Sequence, residues 1–97
     1  MFCKKLDKVT IEKDRIYSID TDNVQGEAVI QAKLQGDVED LVLKVYKGSS
    51  LIYYSVSTGM DLNFQFSTNL TDTNSVKFTL NKDVVISFII YNSPDFK

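Results

Sequence analysis

The sequence predicts an all-β fold: a single antiparallel β-sandwich of about eight strands, with jelly-roll-like or Greek-key connections. Three observations support this prediction. Val, Ile and Thr, whose branched side chains favour strands, make up about a quarter of the 97 residues. Apolar and polar residues alternate with the period of two that a half-buried strand requires. Clusters of Gly, Asn, Asp and Ser separate these runs at the roughly 8–12-residue spacing of a sandwich.

Eight runs of residues are expected to form the strands. The clearest is 62–67, where Leu62, Phe64 and Phe66 alternate with polar residues, as in a strand with one buried face. The complete set of expected strands is 9–11, 16–19, 27–35, 41–46, 51–56, 62–67, 76–80 and 84–91. Turns are expected at 36–37, 47–50, 58–61 and 81–83, and longer polar loops at 20–26 and 69–75.

The composition indicates one domain over residues 1–97 and no catalytic apparatus. Histidine is absent, so the commonest general base and the commonest zinc ligand are both missing. Cys3 is the single cysteine, which excludes an internal disulfide and a cysteine-built metal site. No glycine-rich turn leads into a helix that would bind a phosphate. We therefore expect a non-enzymatic protein with no cofactor and no metal.

The charge and hydropathy patterns argue against nucleic-acid and membrane partners. The net charge is −2 and Arg15 is the single arginine, whereas nucleic-acid-binding surfaces are rich in cations. The longest apolar run, 84–91, has the length of a strand and falls short of the roughly 20 residues of a membrane-spanning helix. The charged start of the chain lacks the apolar stretch of a signal peptide. We expect no membrane insertion, and the sequence indicates no cellular location.

A hairpin across the turn at 47–50 is expected to place apolar residues on both faces of its sheet. A symmetric loop pairs Tyr46 with Leu51, and opposed residues share a face. The same register pairs Val45 with Ile52 and Lys44 with Tyr53. One face then holds the expected core residues Leu41, Leu43, Val45, Ile52, Tyr54 and Val56. The opposite face, which faces water in a simple sandwich, holds Val42, Lys44, Tyr46, Leu51, Tyr53 and Ser55.

We interpret the apolar residues of that opposite face as a partner-binding surface. The candidates are Val42, Tyr46, Leu51 and Tyr53, with the tyrosines as anchors. The last strand repeats the pattern, because Val85, Ile89 and Tyr91 lie opposite its core-facing residues. The free edge of that strand is expected to add contacts by strand pairing. One alternative is that loops or the segment around Phe96 cover this face, and another is that sugars stack on the tyrosines.

The residues at 20–23 start like a calcium-binding loop. Asp20 and Asp22 supply oxygen ligands at alternating positions. The EF-hand pattern then fails, since Val24 and Gln25 stand where a ligand and a glycine belong. A shared site would form only if the fold brought other acidic residues close, namely Asp37, Glu39 and Asp40. We therefore predict no metal site and name Asp20, Asp22 and Asp37 as the candidate ligands should calcium bind.

Part of the chain resembles the GOLD-type β-sandwiches of p24 cargo receptors. The residues that carry this resemblance are 42–48, 64–66 and 76–81, which together with the strand between them span about half of the chain. The resemblance implies a sandwich-shaped adaptor domain that binds other proteins. The chain departs from that family in lacking its paired cysteines, its coiled coil and its membrane segment.

These observations predict a structural or protein-interaction module, a small β-sandwich that docks on other protein subunits, itself included. Ile, Asn, Lys, Tyr and Phe, whose codons are AT-rich, are plentiful, as in many viruses and phages. The most concrete version is a minor capsid or surface component of a virus or phage particle, by analogy with other lone sandwiches. The alternative is a ligand-binding sandwich for carbohydrate or Ca²⁺, or a GOLD-like adaptor.

Overall fold

The computed structural model describes residues 3–22 and 24–92, which fold into eight strands. The strands are β1 (Cys3–Ile11), β2 (Ile16–Asp20), β3 (Glu27–Gln35), β4 (Asp37–Lys47), β5 (Ser50–Met60), β6 (Asn63–Asn69), β7 (Ser75–Leu80) and β8 (Val84–Asn92). All eight expected runs form strands, which confirms the all-β prediction. Asn23 of the calcium-like run and the segment around Phe96 lie outside the described residues. Within the described ranges, no helix is long and apolar enough to cross a membrane.

The strands form two four-stranded sheets that pack face to face. The first sheet has the order β1-β8-β3-β6, and the second sheet has the order β2-β7-β4-β5. Every pairing is antiparallel. Consecutive strands lie in different sheets except β4 and β5, which form a hairpin. This strand order is that of a jelly roll, and it confirms the predicted β-sandwich.

The core lies between the two sheets and is built from alternate residues of the strands. Four buried residues of β8 alternate with less buried ones, and they are Val84, Ile86, Phe88 and Ile90. The ring centroid of Phe88 lies 4.6 Å from that of Phe78 and 6.0 Å from that of Tyr17, so aromatic contacts join the two sheets. Removing a buried phenylalanine side chain typically costs about 3–5 kcal/mol. The core therefore fixes which side chains of each strand point outward.

The β4–β5 hairpin departs from the predicted register. Tyr46 opposes Leu51 as expected, but the pairing shifts immediately beyond this pair, and Ile52 becomes the extra residue of a β-bulge. The observed pairs are Val45 with Tyr53 and Lys44 with Tyr54. The predicted pairs, Val45 with Ile52 and Lys44 with Tyr53, are wrong. Because side chains alternate along a strand, the shift places every later residue of β5 on the face opposite to the predicted one.

Several strands run further than the sequence pattern indicates, and two of them pass through expected turns. β1 begins at Cys3, although the expected run was 9–11. β4 already begins at Asp37, and β5 continues to Met60, through positions where turns were expected. The chain reverses at Asp61, whose φ is 49°. The Asp61 N–H donates to the Gly36 carbonyl at 2.9 Å, and the Gly36 N–H donates to Asp61 Oδ1 at 2.8 Å. This reciprocal pair closes one end of the sandwich by satisfying backbone groups of two neighbouring turns.

The last strand is interior to its sheet. β8 pairs with β1 on one side and with β3 on the other, so the prediction that it offers a free edge is wrong. The sheet edges are β1 and β6 in the first sheet and β2 and β5 in the second. Any strand pairing with a partner must therefore use one of these four strands.

Candidate partner-binding surface

The outer face of the second sheet carries the predicted partner-binding surface. Side chains that alternate with core residues point outward and form rows across the four strands. The first row is Ile16, Thr79, Lys44 and Tyr54, and the second is Ser18, Lys77, Tyr46 and Leu51. In the next row, Val42 opposes Val56. We define the outer patch as Ile16, Val42, Tyr46, Leu51, Tyr54 and Val56.

Four residues of the outer patch are large apolar side chains that are at least half exposed. The exposed fractions are 66% for Ile16, 50% for Leu51, 55% for Tyr54 and 55% for Val56. Among the described residues, the fifth large apolar side chain of this kind is Met60 at the end of β5. Covering apolar surface is worth about 25 cal/mol per Å². Apolar groups gathered on one face are typical of a docking surface.

A shallow depression lies within the outer face of the second sheet. Its volume is about 400 Å³, and its lining residues are Ile16, Lys44, Tyr46, Gly48, Lys77 and Thr79. The lining combines apolar groups, a tyrosine and two lysines, with no acidic side chain among these residues. A partner that fills the depression would therefore need apolar groups at its centre and carboxylates near the two ammonium groups.

The structure brings together three of the four predicted partner-binding residues. Val42, Tyr46 and Leu51 lie on the outer face of the second sheet, as expected. Tyr53 lies on the inner side of β5, so its predicted place on the outer face is wrong. Its ring stacks on Phe66 with centroids 4.5 Å apart and meets Phe64 edge-on at 6.5 Å. The bulge at Ile52 is the physical reason, because it reverses the orientation of the residues that follow.

Sequence reasoning missed three residues of the outer patch, namely Ile16, Tyr54 and Val56. Tyr54 and Val56 were expected in the core, and their exposure shows that this assignment is wrong. No local signal places Tyr54 and Val56 correctly, because the serines that alternate with them favour the opposite orientation. Ser55 Oγ and Ser57 Oγ lie 3.0 Å apart on the inner side of β5, where the edge strand leaves the core open at its margin. Polar side chains are tolerated there because they can bond to each other.

The outer face of the first sheet also carries apolar residues. As predicted, the outward-facing residues of β8 include Val85, Ile89 and Tyr91, and all three are partly buried. Val29 of the neighbouring strand β3 is 8% exposed. Gln31 Nε2 donates to Gln65 Oε1 at 3.0 Å and to Tyr91 Oη at 3.3 Å. Polar side chains thus bridge three strands across this face.

The three calcium candidates do not come together. Asp20 Oδ1 accepts a hydrogen bond from the Asp22 N–H at 2.9 Å, so this carboxylate forms a local turn. Asp20 opposes Ser75 at one end of the second sheet, whereas Asp37 opposes Met60 at the other end. A strand rises about 3.3 Å per residue, which places the two ends roughly 30 Å apart. Within the described part of the chain, no group of three or more metal-ligating side chains is gathered.

Known proteins show little similarity to this chain. No protein-family model matches the chain, and no curated protein matches it. The chain is similar to a solved structure described as "Bacillus endospore appendages form a novel family of disulfide-linked pili", with 16% sequence identity and a TM-score of 0.45. The likeness covers 93% of this chain and 88% of that one. The resemblance to GOLD-type sandwiches stays a prediction.

Proposed function

We propose that this protein is a non-enzymatic structural subunit that docks on other protein subunits, further copies of itself included, through the outer patch. One observation carries the proposal. Among the described residues, four of the five large apolar side chains that are at least half exposed lie on this one sheet face. Tyr46 and Tyr54 supply the aromatic anchors that interfaces favour, since a tyrosine offers a large apolar ring and a hydroxyl at little entropic cost.

The side chains of the outer patch indicate which side chains a partner surface would need in order to cover it. Ile16 and Tyr54 lie at the two ends of a row whose middle positions are Thr79 and Lys44, so a hydroxyl and a cation lie between the two apolar side chains. A matching surface would present apolar side chains to Ile16 and Tyr54 and carboxylates to Lys44 and Lys77. Acidic residues exceed basic ones in the chain as a whole, so another copy can supply such carboxylates.

A more specific version of this proposal is a minor capsid or surface component of a virus or phage particle. It is supported by the AT-rich codon usage that the composition implies and by the small size of a lone jelly roll. Purification of particles from the source and detection of this chain at a fixed ratio to the major subunit would test it. Recovery of the chain in the soluble fraction, with none in the particles, would contradict it.

Light scattering across a dilution series tests the docking function directly. We expect a mass that is a multiple of the monomer and that persists on dilution. Ile16→Lys combined with Tyr46→Ser should raise the dissociation constant more than about tenfold, because truncating an interface anchor typically costs 1.4 kcal/mol or more. Gln35→Lys is the matched control, since it adds the same charge to an exposed position of the first sheet.

Two results would count against this proposal. Docking through the outer patch is contradicted if the double variant keeps the wild-type mass at every concentration and Gln35→Lys behaves identically. Self-docking is contradicted if the wild-type protein is a monomer throughout, and that result favours a different protein or a small ligand as the partner. The melting temperature of each variant should stay within a few degrees of the wild type, because Ile16 is largely exposed.

A carbohydrate-binding sandwich is the second candidate function. A depression of about 350 Å³ on the outer face of the first sheet is lined in part by Gln31, Lys33, Asn63, Gln65, Ser87 and Ile89. Amide and hydroxyl groups of this kind can both donate to and accept from sugar hydroxyls. A millimolar panel of monosaccharides, with Ca²⁺ as a separate arm, should raise the melting temperature if either ligand binds. No shift at saturating concentration would contradict this candidate.

A further inference from the structure

The four edge strands differ in how they are protected against pairing with another chain. β1 carries Lys4, Lys5, Asp7 and Lys8, and its pairing with β8 is interrupted by a bulge where Lys8 has a φ of 52°. β2 is only five residues long. At the end of β6, Lys47 Nζ donates to the Asn69 carbonyl at 2.7 Å. Charges, bulges and short length are the usual devices that keep an edge strand from recruiting a partner strand.

β5 and β6 are the two edge strands without a charged side chain, and β5 is the longer, with eleven residues against seven. Its eleven residues, Ser50–Met60, contain no charged side chain and no proline. One backbone edge pairs with β4, and the other faces away from the sheet. Register shifts occur near both ends of the β4–β5 ladder, but pairing is regular from Tyr53 to Ser57. Such a long, uncharged edge with a regular centre is a template for strand addition.

We propose that β5 pairs in antiparallel fashion with β5 of a second copy of this chain, about a two-fold axis that passes midway between Ser55 and the Ser55 of that copy. This pairing joins the two second sheets into one eight-stranded sheet. It rests on the proposed function in the sense that it names the partner, a second copy, and assigns a further contact between the two subunits. It uses the edge of the sheet, whereas the outer patch uses its face.

The position of the axis follows from the geometry of antiparallel pairing. Two directly opposed residues of an antiparallel pair point to the same face of the sheet. Because side chains alternate along β5, residues on one face have numbers that are all odd or all even. The numbers of two opposed β5 residues therefore add to an even sum. One residue of β5 therefore lies directly opposite its own copy, and the axis passes midway between these two residues. Ser55 is the middle residue both of the regular segment from Tyr53 to Ser57 and of β5 as a whole.

This register gives favourable cross-strand contacts. Tyr54 opposes Val56 of the second copy, and the symmetry creates this pair twice on the outer face. Aromatic and β-branched residues are a stabilising combination at opposed positions. On the inner side, Tyr53 opposes Ser57, and at the axis the Ser55 hydroxyl meets its own copy. The side chains of Tyr54 and Val56 are both 55% exposed in the isolated chain, so they are available for this contact.

The absence of charge favours a second copy as the occupant of this edge. Self-pairing of a strand places identical side chains near one another, and like charges at opposed positions are destabilising. Self-pairing of β1 would bring Lys4, Lys5 and Lys8 of two copies together, whereas self-pairing of β5 opposes no charges at all. The resulting sheet also places the outer patches of two copies side by side on one continuous face.

Disulfide trapping tests this register. All variants carry Cys3→Ser, because Cys3 is an exposed free thiol. Opposed positions alternate between hydrogen-bonded and closer non-hydrogen-bonded pairs, and the closer pairs suit a disulfide. Two designs therefore cover both possibilities. The first is Ser55→Cys by itself, and the second is an equimolar mixture of Tyr54→Cys and Val56→Cys, whose positions are exposed and tolerant of substitution.

We expect one of the two designs to form a covalent dimer in high yield under mild oxidation. Thr58→Cys is the matched control, since it lies on the same strand but would sit about 20 Å from its own copy in this register. Failure of both designs, or equal cross-linking by Thr58→Cys, would overturn the proposal. If Ile16→Lys with Tyr46→Ser dissolves the wild-type assembly while no design cross-links, the docking function stands and the edge pairing is wrong. If a design cross-links and the Ile16→Lys, Tyr46→Ser variant assembles like the wild type, the edge pairing stands and docking through the outer patch is wrong.

Discussion

The two outer faces of the sandwich carry similar apolar residues but expose them to different extents. In the first sheet, Val29 and Ile89 lie on β3 and β8, the two central strands, and have neighbours on both sides. In the second sheet, Ile16, Tyr54 and Val56 lie on β2 and β5, the two edge strands, and have neighbours on one side only. Position in the sheet, more than residue type, therefore decides whether an outward apolar side chain is covered.

Polar side chains increase this difference. On the first sheet, Gln31 reaches both Gln65 and Tyr91 and so bridges the strands around the apolar centre. On the second sheet, the central strands hold Lys44 and Lys77, whose ammonium groups donate but cannot accept, so these two side chains cannot hydrogen-bond to each other. On the first outer face, polar side chains bond to one another within the chain. The second outer face leaves apolar surface exposed, and another molecule can cover it.

The largest expected effect comes from the two adjacent tyrosines of β5. Tyr53→Ala should destabilise the monomer by about 2 kcal/mol, because it removes the stacking on Phe66 and the edge contact with Phe64. Tyr54→Ala, at a position 55% exposed, should change stability by less than about 0.5 kcal/mol and weaken assembly instead. Denaturant unfolding of both variants checks this, and equal destabilisation would contradict the inward placement of Tyr53.

A smaller effect is expected from a matched pair of outward valines. Val29→Ala should cost about 1–2 kcal/mol, since Val29 is 8% exposed on a central strand. Val56→Ala should stay within about 0.5 kcal/mol, since Val56 is 55% exposed on an edge strand. A shift of 1 kcal/mol corresponds to roughly 4–8 °C in the melting temperature of a domain this size. A lower melting temperature for Val56→Ala than for Val29→Ala would contradict the conclusion that central strands cover outward side chains better than edge strands do.

The smallest effect is expected at the amide bridge of the first sheet. Gln31→Ala removes hydrogen bonds to Gln65 and Tyr91 and should cost about 1 kcal/mol. Gln35→Ala, at an exposed position of the same strand, is the control and should cost close to nothing. If Gln31→Ala and Gln35→Ala have the same melting temperature, the amide bridge does not stabilise the first outer face. The difference between the two faces then depends on strand position alone.

The strands were predictable because alternation is a local property. Apolar and polar residues alternate within runs such as 62–67 and 76–80, which is enough to identify a strand. Clusters of Gly, Asn and Asp mark most of the turns between strands. Strand ends were harder to predict. β5 continues through Gly59 to Met60 because Asp61 makes the turn with Gly36, and that contact joins residues 25 positions apart. Local propensity carries no information about such a partner.

The candidate surface was predictable only in part, and one residue explains the failure on β5. Alternation identifies which β5 residues share a face, but the bulge at Ile52 inserts a residue that the pattern does not reveal, and it exchanges Tyr53 for Tyr54. Val42, Tyr46 and Leu51 lie before the shift and were placed correctly. Ile16 was missed because its exposure depends on β2 being an edge strand, which is a property of the strand order and not of the run itself.

The pairing of β1 with β8 has a consequence for how the chain folds during synthesis. The Lys8 N–H donates to Ser87 Oγ, 79 positions later, so β1 has no place in its sheet until β8 has left the ribosome. Folds dominated by such distant contacts typically fold in milliseconds to seconds. Between the synthesis of β1 and that of β8, β1 is a strand without a partner. Its lysines are residues of the kind that oppose aggregation of an exposed strand.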